Sequence, residues 1–201
     1  MFDTDGCPDT PADFYQVVRA DVEAYWTATL APLFPYPPVG TFLGYTAPLG
    51  SPCGPLVLNN AFYCPANAGV YFDGTFMGAY LAAVGDMAPA FIISHEIGHH
   101  VSWLLGWVPP VISTKENELQ ADCFGGAWAR SADDRGLLDE GDLEEAVVAL
   151  ISVGDPDYTW FDPTGHGTPL QRVSAFAMGF DGGPPACTNQ AFFDAFPANS
   201  P

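Results

Sequence analysis

Residues 95–99 read His-Glu-Ile-Gly-His. On a helix, residues i and i+4 stand one above the other, so His95 and His99 can hold one zinc ion between them. Glu96 projects from the neighbouring position, within reach of a proton on the water that such an ion activates. A string of this kind arises by chance in roughly one chain in a few hundred of this length. The decision therefore rests on a third ligand, because a catalytic zinc usually has three protein ligands and an open fourth position.

Proteins with this motif differ in where the third ligand lies. The metzincin pattern requires Gly and His at fixed offsets in the next two turns; those offsets hold Ser102 and Leu105, which excludes it. The alternative is a Glu from the following helix, and Asn117-Glu118-Leu119-Gln120-Ala121-Asp122 supplies one. Glu118 and Asp122 are four apart and share a helix face. Glu118 can then bind the metal while Asp122 accepts a hydrogen bond from a ligating imidazole, the support such ligands need. About seven residues separate Leu105 from the next helix, enough for the two helices to fold back on each other. The pattern is similar to the Asn-Glu-x-x-(Ser/Ala)-Asp signature of the thermolysin-like gluzincins.

Around this pair the periodicity predicts one α+β domain covering 1–201, with its core at about 13–187. Phe14, Val17, Val18, Val22, Tyr25, Trp26 and Leu30 have helical spacing. Short apolar runs at 41–45, 56–58, 61–64 and 70–72 read as strands of a small sheet. Helices follow at about 75–84 and 87–105, the second stopped by Gly106 and the Pro109-Pro110 pair. Ser113 with Glu116 forms a capping box for a helix reaching about residue 131. Asp142 with Glu145 has the same spacing ahead of 142–153. Thr168, Pro169 and Gln171 open a last helix reaching about 180.

The chain has 201 residues and a formal charge of −19, with Lys115 and four Arg as its cations. That balance argues against nucleic acid or an anionic membrane as partner. It fits a solubility device, or a preference for cationic peptides. Five dispersed cysteines without a Cys-x-x-Cys pair favour an oxidising compartment and disulfides. Cys53 and Cys64 flank a short apolar segment and can close a small loop; Cys123 with Cys187 would then tie the motif region to the tail, leaving Cys7 odd. Five cysteines permit other pairings too. Residues 1–14 lack a basic stretch followed by an apolar run, and no run is long enough to span a membrane. A secreted or cell-surface protein would carry its signal or anchor outside this chain.

The wider string is more specific than either motif. His95 to Val101, Glu118 to Phe124, and His166-Gly167-Thr168 with Gln171-Arg172 resemble the bacterial "putative neutral zinc metallopeptidase" family. The resemblance extends to Cys53-Gly54, Ala61 to Pro65, Val70 to Asp73 and Gly141 to Ala146, and so spans about residues 13 to 187. It implies a zincin-like metallopeptidase fold, Zn²⁺ as cofactor, a peptide or protein substrate, and a protein usually exported or membrane-anchored. The chain departs from the family at Ser102, where Gln is common, and in the Pro/Trp-rich loop before His166.

Other residues carry two readings each. His100 points about 100° away from His99 and reads as packed, not as a ligand. His166, in a Gly-flanked loop, can face the cleft and donate to an oxyanion, or serve as a loop histidine bonded to backbone. Asp155, Asp157 and Asp162 suggest a calcium loop or, more simply, turns and helix starts. Asn60-Ala61-Phe62 can be a peptide-binding edge strand or a disulfide-bracketed core strand. The expected function is peptide-bond hydrolysis with Glu96 as general base. The alternatives are a zinc-binding adhesion module without turnover and a zinc amidase acting on cell-wall peptides.

Overall fold

The computed structural model describes residues 10–156, 162 and 164–196. Its elements are α1 (Pro11–Leu30), β1 (Thr41–Tyr45), β2 (Gly50–Ser51), β3 (Gly54–Pro55), β4 (Ala61–Cys64), β5 (Gly69–Asp73), α2 (Gly74–Ala83), α3 (Met87–Leu105), α4 (Thr114–Asp134), α5 (Asp142–Ser152), α6 (Pro169–Gly182), a 3₁₀ turn (Pro184–Cys187) and α7 (Gln190–Ala195). This is a mixed α+β arrangement, mostly helical, with a small three-stranded sheet and a separate two-stranded ladder.

The sheet has the order β1-β5-β4, with β1 parallel and β4 antiparallel to β5. The middle strand is buried along its whole length, as its continuous apolar run requires. That leaves β4 as an edge. Asp73 ends β5 and caps α2, its carboxylate accepting from the Thr75 and Asn59 N–H groups at 2.8 Å each. The same side chain thus fixes a helix start and the loop that leads into β4.

Helix α3 lies at the centre. Every residue from Met87 to Ser102 is buried except His99, which is half-buried. Helix α1 covers it with Phe14, Val18, Val22, Trp26 and Leu30, most of the stripe that helical spacing predicts; Tyr25 is partly buried and Val17 faces solvent. Glycines allow the other helices close. A Cβ at Gly98 would lie 2.9 Å from the Ala121 carbonyl oxygen, so α3 and α4 meet backbone to backbone. Between α4 and α6, a Cβ at Gly126 would overlap the Phe176 carbonyl and one at Gly179 the Cys123 carbonyl. Ser102, at the position where the resembled family commonly has Gln, donates to the Gln120 side-chain oxygen at 2.8 Å. The Gln120 amide donates onward to the Cys187 carbonyl at 3.1 Å.

Two disulfides join Cys53 to Cys64 and Cys123 to Cys187, the pairing that the spacing allowed; Cys7 and Asp157 lie outside the described residues. The capping boxes at Ser113–Glu116 and Thr168–Gln171 both form. Two expectations are corrected. Residues 56–58 are not a strand: Leu56 alone is buried, its N–H bonded to the Leu49 carbonyl, while Val57 and Leu58 face solvent. The ladder there is β2 with β3. Asp142 is not the cap of α5 either. Gly141, in the left-handed region at φ 107°, takes that position, and Asp142 accepts from the Asp139 N–H. Glu145 reaches instead to the Met87 N–H at 3.0 Å, placing a carboxylate at the start of α3, where unpaired amides favour one. No helix among the described residues is long and apolar enough to cross a membrane.

Candidate metal centre

The i,i+4 spacing on α3 brings the two imidazoles together, with His95 Nε2 and His99 Nε2 3.1 Å apart. Glu118, from the second turn of α4, completes a triangle. Its Oε2 is 3.3 Å from His95 Nε2 and its Oε1 3.5 Å from His99 Nε2. Ligands held about 2.0–2.1 Å from a tetrahedral zinc are separated by about 3.3 Å. The triangle therefore has the size that this ion needs.

The donor set has the matching chemistry. His95 Nδ1 lies 2.8 Å from Asp122 Oδ1, and His99 Nδ1 lies 3.0 Å from Asn117 Oδ1. Both acceptors put the ring proton on Nδ1, which leaves each Nε2 lone pair facing the other and a carboxylate. The Asn117 amide is oriented in turn, its nitrogen donating to the Trp107 carbonyl at 3.0 Å. Three lone-pair donors converging on one point require a cation or protons between them. In the metal-free chain burial works against charge on His95, but Asp122, Glu118 and Glu96 more than offset it and push His95 up to about 10. A metal would displace that proton.

Asp122 is buried, and burial alone would raise its pKa, but the adjacent Arg172 guanidinium and His95 hold it below the usual carboxylate range. Arg172 meets it through Nε and Nη2, at 2.8 Å each, and donates through Nη1 to the Val153 carbonyl at 3.3 Å. Asp122 thus bridges α6 to a metal-facing imidazole. Glu118 is also held well below its ordinary value: burial opposes this, and His99 and His95 outweigh it. Glu96 goes the other way. Burial raises its pKa against the pull of His95 and His99, and its Oε2 is buried without a hydrogen-bond partner.

These residues open into a cleft of about 860 Å³. One wall is the β4 edge with Asn59 and Asn60, which places Asn60-Ala61-Phe62 at an edge strand as well as inside the Cys53–Cys64 loop. His100 is packed away from the metal triangle, as its position on the helix predicts. Its Nε2 donates to the Pro37 carbonyl at 2.8 Å, so its Nδ1 accepts from the Tyr63 hydroxyl at 2.9 Å. His166 borders the cleft and is exposed. Its backbone N–H donates to Asp155 Oδ2, and its Nδ1 lies 3.6 Å from Asp155 Oδ1. Asp155 supports this loop, while Asp162 caps a turn by accepting from the N–H and hydroxyl of Thr164.

Sequence reasoning gave no role to Asn117, Arg172 or Asp155 beyond a generic one. Asn117 was legible in principle, since it adjoins Glu118 on the turn below His99. Arg172 is one of five cations in a chain of charge −19, and that scarcity was its signal. Asp155 carried none. A second carboxylate group, Asp86, Asp142 and Glu145, converges at the start of α3; within it, Glu145 serves the helix amide already described.

The chain matches the family described as "Putative neutral zinc metallopeptidase" over residues 4–192. It is 37% identical over 207 residues to the uncharacterized protein YpfJ of Escherichia coli (strain K12), covering 90% of this chain and 71% of that one. It is 31% identical over 195 residues to the uncharacterized protein Mb2605 of Mycobacterium bovis, covering 82% and 65% respectively. The same figures hold for the uncharacterized protein Rv2575 of Mycobacterium tuberculosis. No solved structure matches the chain. A family match across almost the whole chain, with the His/Glu triangle inside it, means that this chain belongs to the putative neutral zinc metallopeptidase family.

Proposed function

We propose that the protein is a zinc-dependent peptidase of gluzincin type with a zincin-like fold, acting outside the cytoplasm on peptide or protein substrates. The observation that carries this reading is the donor triangle of His95, His99 and Glu118 with the buried, unpartnered Glu96 Oε2 beside it. Two disulfides fit an oxidising compartment.

His95, His99 and Glu118 would hold the zinc, with Asp122 and Asn117 fixing the two imidazoles. Zn²⁺, when bound, supplies Lewis acidity that brings the pKa of water to about 7 and polarises a carbonyl. Glu96 takes the proton from the attacking water and returns it to the leaving amine. Arg172 keeps Asp122 anionic and so keeps His95 in the tautomer that presents Nε2. His166, steadied by Asp155, donates to the developing oxyanion from the cleft wall. The β4 edge receives an extended peptide through backbone hydrogen bonds.

The test is Glu96→Gln. Zinc content should stay at one per chain while peptide hydrolysis falls by roughly 10²–10⁴-fold. Cleavage at the parent rate would remove Glu96 as the base. A parent that binds zinc and peptide but cleaves neither proteins nor muropeptides would be a binding module; one that cleaves muropeptides alone would be a cell-wall amidase.

A further inference from the structure

Helix α3 stays in the core for sixteen residues, 87–102, and then exposes one large aromatic: Trp103 keeps 45% of its surface accessible. Nothing in the core requires a tryptophan there. It borders the metal cleft, four residues past His99 and on the same helix face. Its indole stacks on His100, centroids 6.3 Å apart and planes 12° from parallel. That imidazole is locked by the Pro37 carbonyl on one side and the Tyr63 hydroxyl on the other. The indole is therefore a supported platform with one face open.

We propose that Trp103 is a specificity residue that seats an apolar or aromatic side chain of the substrate, an inference that rests on the peptidase reading. A cation could also sit on an indole face. The surroundings decide against it: Val108 and Pro109 line the same cleft, and the described residues lining it include no carboxylates besides Glu96 and Glu118, both committed to the metal centre. We take the substrate to run along α3. Glu96 serves the leaving amine and lies toward the helix N-terminus; Trp103 lies about 6 Å beyond His99 the other way. An extended peptide advances about 3.3 Å per residue. Trp103 thus meets the side chain one or two residues before the scissile bond, on its acyl side.

Cleavage profiles of the parent, Trp103→Phe and Trp103→Ala on a peptide library test this, alongside zinc content and thermal stability. Trp103→Ala should raise KM about tenfold for peptides with Phe or Leu at those acyl-side positions, leave Ala or Gly peptides nearly unchanged, and keep its zinc. Trp103→Phe should retain most of the preference. In the Glu96→Gln background, the Phe-containing peptide should change the tryptophan fluorescence, and Trp103→Phe should remove that change. A parent that cleaves peptides with a profile unaltered by Trp103→Ala overturns the Trp103 assignment and leaves the peptidase standing. A parent that neither cleaves nor binds peptide overturns both.

Discussion

Arg172 and Asp122 meet side by side in two hydrogen bonds of 2.8 Å, with the Asp122 side chain wholly out of solvent. The pair joins α6 to α4 and ends at a metal-facing imidazole. Breaking it by removing the cation leaves a buried anion with only the His95 ring beside it; loss of one partner costs about 3–5 kcal/mol in comparable pairs. Arg172→Met should therefore lower the unfolding free energy by that order. It should also weaken zinc binding by about 10–100-fold, as loss of ligand support does. Competition with a chromogenic chelator measures the second effect. Lys has one charge but no fork, so Arg172→Lys should recover charge without restoring affinity.

Glu118 is the proposed ligand on which the class of the site depends. Elemental analysis should find one zinc per chain in the parent and almost none in Glu118→Ala. A full zinc complement in that variant would return Glu118 to an ordinary helix carboxylate.

His166 should affect turnover and not metal. Removing one preorganised oxyanion donor costs about 10²–10³ in kcat. His166→Ala should show such a loss with KM and zinc content unchanged, and Asp155→Ala a smaller loss in the same direction. A His166→Ala variant with the parent's kcat would make it a loop histidine.

Asp21 links acid stability to the packing of α1 on α4. Burial raises its pKa, but hydrogen bonds from Arg135 and from Trp128 Nε1 hold it below the usual value. A carboxylate with a lowered folded pKa stabilises the fold fully above its unfolded value, and loses that contribution as pH falls through the folded one. Arg135 is 41% exposed, so the contribution is screened to about 1 kcal/mol or less. Urea midpoints measured from pH 7 downward should show Asp21→Asn converging on the parent at the acid end.

Gly179→Ala tests the crossing of α4 and α6. The new methyl would run into the Cys123 carbonyl, which is backbone and cannot turn aside. The expected loss is about 3 kcal/mol or more, beyond ordinary overpacking. Zinc affinity should fall with it, because the crossing sets the distance between Arg172 and Asp122.

The residues that could be read from sequence are those whose partners lie within a few turns. His95, His99, Glu118 and Asp122 fall on two consecutive helices, and the Ser113 capping box announces the second. Arg172 lies 50 residues from Asp122, and their meeting depends on a glycine contact between helices that no local pattern records. The strand expected at 56–58 failed because an apolar run after Pro55 looks like a strand whether one residue or three are buried. The cap expected at Asp142 failed because Gly141, which alone tolerates that backbone, stood one position earlier.

The loop closed by Cys53 and Cys64 contains all of Asn59, Asn60, Ala61, Phe62 and Tyr63 on the cleft wall, while no metal-facing residue lies within it. The site is thus divisible. The strand wall of the cleft and the metal-facing helices, Trp103 among them, are written in separate stretches of chain, the first inside its own disulfide. Substitutions between Cys53 and Cys64 can therefore reshape that wall without touching a metal-facing side chain.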